Sequence, residues 1–194
     1  MVQQIGLFGG TFDPVHKGHV AIAKSFLDSQ FIDELWVILT PHPPHKNGHQ
    51  SASYETRLSM LEVAFEKLDK IVLSTIEKDL PKPSYSVRTI RYIKEKYPDN
   101  NFFYCMGEDS LTEFHTWKYY SEILEECELL VARRPGVTHI GVEKGILKRT
   151  HFVDHDPLDI SSSQIRSCVS SGISIKELVP VKVADIIEKE NLYR

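Results

Sequence analysis

Strand-like apolar runs and helix-like periodic stretches take turns along most of the chain, and this alternation limits the fold more than any other feature. Ile5-Gly6-Leu7-Phe8 reads as a strand, and the stretch from about Gly18 to Asp28 reads as a helix with Val20, Ala23, Phe26 and Leu27 available for one face. A second strand, ELWVILT at 34–40, precedes YETRLSMLEVAFEKL, where Tyr54, Leu58, Leu61, Phe65 and Leu68 recur at steps of four and three. The pattern continues with KIVLST (70–75), a helix over about 86–96, NFFYCM (101–106), a helix near 117–126, ELLVAR (128–133) and THFVD (150–154). Strands that are nearly continuous apolar runs belong in a parallel sheet covered on both faces, because parallel neighbours need crossover helices. The expected fold class is therefore α/β, a Rossmann-like doubly wound parallel sheet.

After residue 157 the alternation stops. ISSSQIRSCVSSG and VPVKVADIIEKENLY read as two further helices, the second opened near Pro180. With 194 residues, a single domain is expected: an α/β core over 1–157 and a small helical extension over 158–194. No repeat or low-complexity tract interrupts it, and the longest irregular stretch runs from Pro41 to Ser53.

Composition excludes several classes of function. The 23 Lys+Arg against 27 Asp+Glu give a formal charge of −4, spread along the chain, so a partner held by a basic surface field, nucleic acid or an anionic membrane, is not expected. Cys105, Cys127 and Cys168 form no CxxC and are odd in number, which fits reduced thiols. Met1 to Gln4 lead straight into a strand, without a leader or membrane span, and the expected compartment is the cytoplasm. Oligomeric state is not legible; a homo-oligomer is compatible with the sequence.

Chemistry concentrates in LFGGTFDPVHKGH, residues 7–19. It follows the first strand and opens the first helix, the place where ligands bind in an open parallel sheet. It is neither GxGxxG nor GxxxxGK[ST], so the dinucleotide and P-loop fingerprints both fail. Gly9 and Gly10 still permit close approach of backbone N–H groups to an anion, and the helix aims its positive end there. His16 and His19, three apart, share a face and can donate to one phosphate. At a helix N-terminus they should tend toward neutral until a polyphosphate binds. An isolated HxxH is most often a pair of surface or satisfied histidines; the setting is what makes this pair a candidate site.

GGTFDPVHKGH closely resembles the signature of the nucleotidyltransferase α/β phosphodiesterase superfamily, which transfers a nucleotide from a nucleoside triphosphate and releases pyrophosphate. PPHK (43–46), PSYSVRTI (83–90), MGEDSLTEFHTWK (106–118), ARRPG (132–136) and ISSSQIR (160–166) follow in the order of the bacterial nicotinate mononucleotide adenylyltransferase family. The resemblance implies formation of deamido-NAD from ATP and nicotinate mononucleotide, with Mg²⁺ arriving on the ATP and no dedicated metal site. It implies that His16 and His19 hold the ATP phosphates, with Lys46 and Arg166 as further catalytic cations. Gly9, Gly10, Thr11, Phe12, Gly107, Asp109, Ser162 and Ser163 would contact ATP. Thr11, Lys46, Tyr85, Ser86, Trp117, Lys118 and Arg134 would contact the acceptor, with Trp117 stacked on the pyridine ring. Tyr85-Ser86 and the turn after Trp117 would offer N–H groups to its carboxylate. PHPPHK is a shorter run than many family members have, and YSVRT has Ser86 and Arg88 where threonine and an acidic residue are frequent.

The residue types suit this chemistry independently. A phosphate monoester is mostly dianionic near neutral pH, its second pKa being about 6, so attack needs no strong base. Positioning and charge stabilisation around the α-phosphorus suffice. Alone, Lys46 reads as a solvated charge, Ser161 to Ser163 as helix caps, and Trp117 equally well as core. Two rival readings remain: an adenylyltransferase that uses nicotinamide mononucleotide or phosphopantetheine, and a non-catalytic metal-binding module built from His16, His19, His42, His45 and His49. The metal module lacks Cys support and leaves the glycines and the Asp-Pro without a role.

Overall fold

The computed structural model describes residues 2–41, 52–134, 136 and 141–194. Lys46, His42, His45, His49 and most of the 41–53 stretch lie outside the described residues. In chain order the elements are β1 (Gln4–Gly10), α1 (Lys17–Asp28), β2 (Glu34–Leu39), α2 (Tyr54–Phe65), β3 (Ile71–Ser74), α3 (Ser86–Lys96), β4 (Asn101–Gly107), α4 (Glu108–Thr112), α5 (Tyr120–Glu126), β5 (Glu128–Ala132), α6 (Lys144–Leu147), β6 (Thr150–Val153), α7 (Ser162–Ser170) and α8 (Val181–Lys189). Two short 3₁₀ turns, Ile76–Asp79 and Phe114–Thr116, are added. Among the described residues the strands form one sheet in the order β3-β2-β1-β4-β5-β6, and every pairing is parallel. This is the doubly wound order, with its reversal between β1 and β4.

Alternation along each strand sends side chains to opposite faces, and both faces are apolar. Leu35, Val37, Leu39, Cys105, Leu130 and Ala132 pack with Ala23 and Phe26 of α1 and Met60, Leu61 and Phe65 of α2. Trp36, Ile38, Tyr104, Met106, Leu129 and Val131 pack with Val87, Ile90 and Ile93 of α3, Leu111 of α4, Ile123 of α5 and Ile146 of α6. Each such aliphatic side chain contributes about 1.5–3 kcal/mol when fully buried, so the two layers clamp the sheet. α7 and α8 join the first layer, where Ile165, Val179, Val183 and Ile187 lie in the same cluster as Phe8 and Phe12. No helix among the described residues is long and apolar enough to cross a membrane.

Three boundaries differ from the sequence reading. β1 runs on through Gly9 and Gly10, which pair with Ile38 and Leu39, so both glycines belong to the strand and not to its exit loop. Glycine has no side chain to signal a strand, but here the ladder to β2 fixes it. The helix expected near 117 starts at Tyr120, because Trp117 is extended and Tyr119 is left-handed at φ 65°. β3 ends at Ser74, and the next residues turn into the first 3₁₀ segment.

Candidate active site

β1 pairs with β2 as far as Gly10↔Leu39, but with β4 only from Gln4↔Asn101 to Leu7↔Tyr104. β4 meanwhile continues beside β5 to Gly107↔Ala132. The carboxyl ends of β1 and β4 therefore part at the point where strand order reverses, which opens a crevice between them. A cleft of about 310 Å³ lies there, lined by Phe8, Gly9, Gly10, Phe12, His16 and His19 on one side and by Gly107 to Ser110, Ala132 to Arg134, His155, Pro157, Leu158 and Ile160 on the other.

His16 is the N-cap of α1 and His19 its third residue, and the two close a reciprocal capping box. The His16 N–H donates to His19 Nδ1 at 3.2 Å, and the His19 N–H donates to His16 Nδ1 at 3.4 Å. The rings stack with centroids 3.7 Å apart, and the edge of Phe12 meets His19 at 5.0 Å. Because each Nδ1 accepts, the hydrogen-bond network assigns the neutral-ring proton to Nε2 in both. Burial pulls the His16 imidazole down from 6.5 to about 4, so it is a neutral donor at physiological pH. Gly18 makes the stack feasible: a Cβ there would lie 3.0 Å from His16 Nδ1.

Gly107 caps α4 at the opposite wall. The buried Glu108 carboxylate accepts the Arg134 N–H, and the Arg134 guanidinium binds Asp109 and, at 3.3 Å, Asp159. Arg134 thus stands on the wall of the histidine-lined cleft, paired to carboxylates. Ile22, Leu158 and Ile160 supply apolar lining, and His155 is held through Nδ1 to Ser25 at 3.0 Å. Burial also lowers the His155 pKa.

The remaining acceptor-side residues gather separately. Ser86 and Tyr104 share a hydroxyl hydrogen bond of 3.0 Å, and Tyr104 meets Trp117 edge-on at 5.9 Å. Lys118 Nζ and the Arg88 guanidinium each lie 5.1 Å from the Tyr85 ring centroid. The Tyr85 N–H is bound to the Pro83 carbonyl at 3.0 Å, so it is not free for a carboxylate; in this first turn of α3 the Ser86 and Val87 N–H groups have no intrahelical acceptor. Gly9 connects the two groups, since a Cβ on it would approach Tyr104 Oη to 3.2 Å while its backbone lines the histidine cleft.

Thr11, Ser162, Ser163 and Arg166 do not line the cleft; they brace its first turn. Ser162 donates to the Pro14 carbonyl at 2.9 Å, and Arg166 donates to the Asp13 carbonyl at 2.7 Å and to Ser163 at 3.1 Å. The Thr11 carbonyl accepts from Arg57 at 2.7 Å. Arg57, only 4% exposed, also donates to the carbonyls of Thr40 and Pro41 and thereby joins the exits of β1 and β2. Sequence reasoning passed over Arg57, although its place three after Tyr54 and four before Leu61 puts it on the inward face of α2. Asp13, Tyr104 and His155 were also missed; of these only Asp13 carried a signal, its place in the Asp-Pro of the opening motif. Among the described residues no three His, Cys, Asp or Glu side chains group as metal ligands.

The cytidylyltransferase-like family model matches residues 7–168. A Flavobacterium johnsoniae protein named "Probable nicotinate-nucleotide adenylyltransferase" is 38% identical over 191 residues, covering 98% of this chain and 99% of its own. A Clostridium tetani protein of the same name is 34% identical, covering 97% and 98%. Among solved structures, Plasmodium falciparum nicotinic acid mononucleotide adenylyltransferase complexed with NaAD has the same fold, with TM-score 0.81 at 20% identity over 98% of this chain and 97% of that one. The crevice between β1 and β4, with a stacked histidine pair at its mouth, is thus found in a chain that belongs to the cytidylyltransferase-like nucleotidyltransferases and, within them, to the nicotinate-nucleotide adenylyltransferase family.

Proposed function

We propose that this chain transfers the adenylyl group of ATP to nicotinate mononucleotide. A phosphate oxygen of the mononucleotide attacks the α-phosphorus of ATP, the bond to the β-phosphate oxygen breaks, and pyrophosphate leaves as deamido-NAD forms. The observation that carries this reading is the His16–His19 stack, whose Nδ1 atoms are both spent on backbone N–H groups so that both Nε2–H groups are preset donors. Preorganised donors stabilise charge that develops on the transferring phosphate without reorganising during the step. His19 and His16 would act there together with Lys46, and Arg166, which holds the Asp13 carbonyl behind the first turn, would add its positive charge from there.

MgATP is the substrate form. The carboxylates at the cleft wall, Glu108 and Asp109, are engaged by Arg134, which suits an ion carried in by the polyphosphate better than a resident one. Adenosine would lie against Gly107, Asp109 and the apolar lining of Ile22 and Ile160. The pyridine nucleotide would lie across Gly9, with Trp117 beside its ring and Ser86, Lys118 and the turn after Trp117 near its carboxylate. Ser162 and Ser163 would serve mainly to hold the first turn. Residues 1–194 would work as one domain, a reading supported by the apolar cluster that α7 and α8 share with the sheet.

Pyrophosphate release from MgATP with nicotinate mononucleotide, nicotinamide mononucleotide or phosphopantetheine as acceptor tests the assignment. Release with the first is expected; release with phosphopantetheine alone would refute it, and zinc retention without turnover would favour the metal module. His19→Ala should lower kcat by about 10²-fold or more while leaving the fold intact, the cost of losing one preset donor.

A further inference from the structure

We propose that Tyr193, the penultimate residue, is a positioning residue for adenylyl transfer, acting through the Asp13 carboxylate. This rests on the function proposed above. Asp13 lies in the turn between Phe12 and the histidine pair and is only 2% exposed. Its Oδ1 accepts the Tyr193 hydroxyl at 2.7 Å and the Ala52 N–H at 3.1 Å. Its carbonyl accepts Arg166 at 2.7 Å. One residue therefore ties together Tyr193, the middle of α7 and the first described residue after the segment that contains Lys46. Arg57 stands behind it, attracted to the Asp13 charge and holding the carbonyls on both sides of the β1 and β2 exits.

The hydroxyl is not what docks α8. Val183 and Ile187 are 0% and 2% exposed in the apolar core, and Glu190 accepts from Thr56 at 2.8 Å. A phenylalanine ring would serve that packing as well. What the hydroxyl adds is a bond to Asp13, and burial together with the adjacent carboxylate raises the phenol pKa so that its proton stays in place. Two acceptor bonds on one buried oxygen hold the carboxylate in a single orientation. Losing the Tyr193 bond takes away the shorter of these two bonds to Oδ1, and the tie between the Ala52 end, Arg166 and the histidine turn loosens. Misplacements of about 1 Å cost on the order of 10²-fold in rate, and a loosened rather than broken support should cost about tenfold.

Tyr193→Phe tests this. Assayed at saturating ATP and nicotinate mononucleotide, well below its melting temperature, kcat should fall about tenfold while both KM values stay within about threefold, the split expected when positioning and not binding is lost. Exchange of the Ala52 amide hydrogen should accelerate. Asp13→Asn, which keeps an acceptor oxygen for both donors, should retain more activity than Asp13→Ala. A Tyr193→Phe enzyme with wild-type kcat would overturn the proposal, and lowered thermal stability at unchanged kcat would reduce Tyr193 to an anchor. If the wild-type chain itself gave no pyrophosphate, the functional reading would fall instead. Amide exchange would still decide the coupling, since an unchanged Ala52 rate in Tyr193→Phe refutes it without reference to turnover.

Discussion

Mild acid should weaken this fold through His16. In the unfolded chain its imidazole titrates at the ordinary 6.5, whereas in the folded chain burial holds it down to about 4. Between those values the unfolded state binds a proton that the native ring refuses. The contribution of His16 is therefore complete above pH 6.5 and is lost progressively as pH falls toward 4. From these two values the loss between pH 7 and pH 5 is about 2 kcal/mol. A chain of this size should melt about 4–8 °C lower for it. Urea denaturation at both pH values, on the wild type and on His16→Asn, measures the effect. Asparagine is a good N-cap and keeps an acceptor for the His19 N–H, but it does not titrate. The wild type should lose about 2 kcal/mol more than the variant over this range. Parallel losses would refute the reasoning, because they would mean that the capping ring is not held neutral by its burial. Saturating ATP should narrow the difference, since a polyphosphate beside the ring favours its protonated form.

Gly18→Ala should separate stability from turnover. Alanine favours the helix by about 1 kcal/mol, roughly offsetting the displacement of the His16 ring, so urea midpoints should barely move. Yet the new Cβ, 3.0 Å from His16 Nδ1, must push the stack by a few tenths of an ångström, and kcat should fall by about tenfold; unchanged turnover would separate the ring position from catalysis. Trp117→Leu should raise the KM for nicotinate mononucleotide about two- to thirtyfold, the range spanned by a cation–π contact of about 0.5–2 kcal/mol, and leave the KM for ATP alone. Equal effects on both substrates would displace the pyridine ring from Trp117. Arg57→Met keeps the buried stem but removes three hydrogen bonds from a charged donor, each worth about 1.5–3 kcal/mol net when taken singly. Because the three share one guanidinium and do not add, the loss should be about 2–4 kcal/mol by denaturation, and a loss below about 1 kcal/mol would show that the carbonyls find other partners.

The doubly wound sheet was legible because burial on both faces writes strands as unbroken apolar runs such as Leu35 to Leu39 and Leu129 to Ala132. The histidine pair was legible because a spacing of three on a helix is a local fact. Where local signals are weak the reading slipped: Gly9 and Gly10 carry no strand propensity, and an aromatic Trp117 looked like the start of a helix that begins at Tyr120. The pairing of Arg134 was hidden for a different reason. Its neighbours Asp109 and Asp159 are 25 residues away on either side, and no pattern in the sequence announces such a pairing.

The same limit hid the brace behind the cleft. Asp13, Arg57, Arg166 and Tyr193 meet across separations of up to 180 residues, and no local pattern in any one segment announces that meeting. Their convergence follows from topology, because β1 and β2 are neighbours in the middle of the sheet and their exits must share whatever polar support the burial of that corner demands. Backbone carbonyls left by the ends of both strands need donors, and a single guanidinium satisfies three of them. Opening the sheet between β1 and β4 creates the crevice for the nucleotides. It also strips β1 of its second neighbour beyond Leu7, so the turn that carries the histidines depends on this brace, more than on the ladder, for its position.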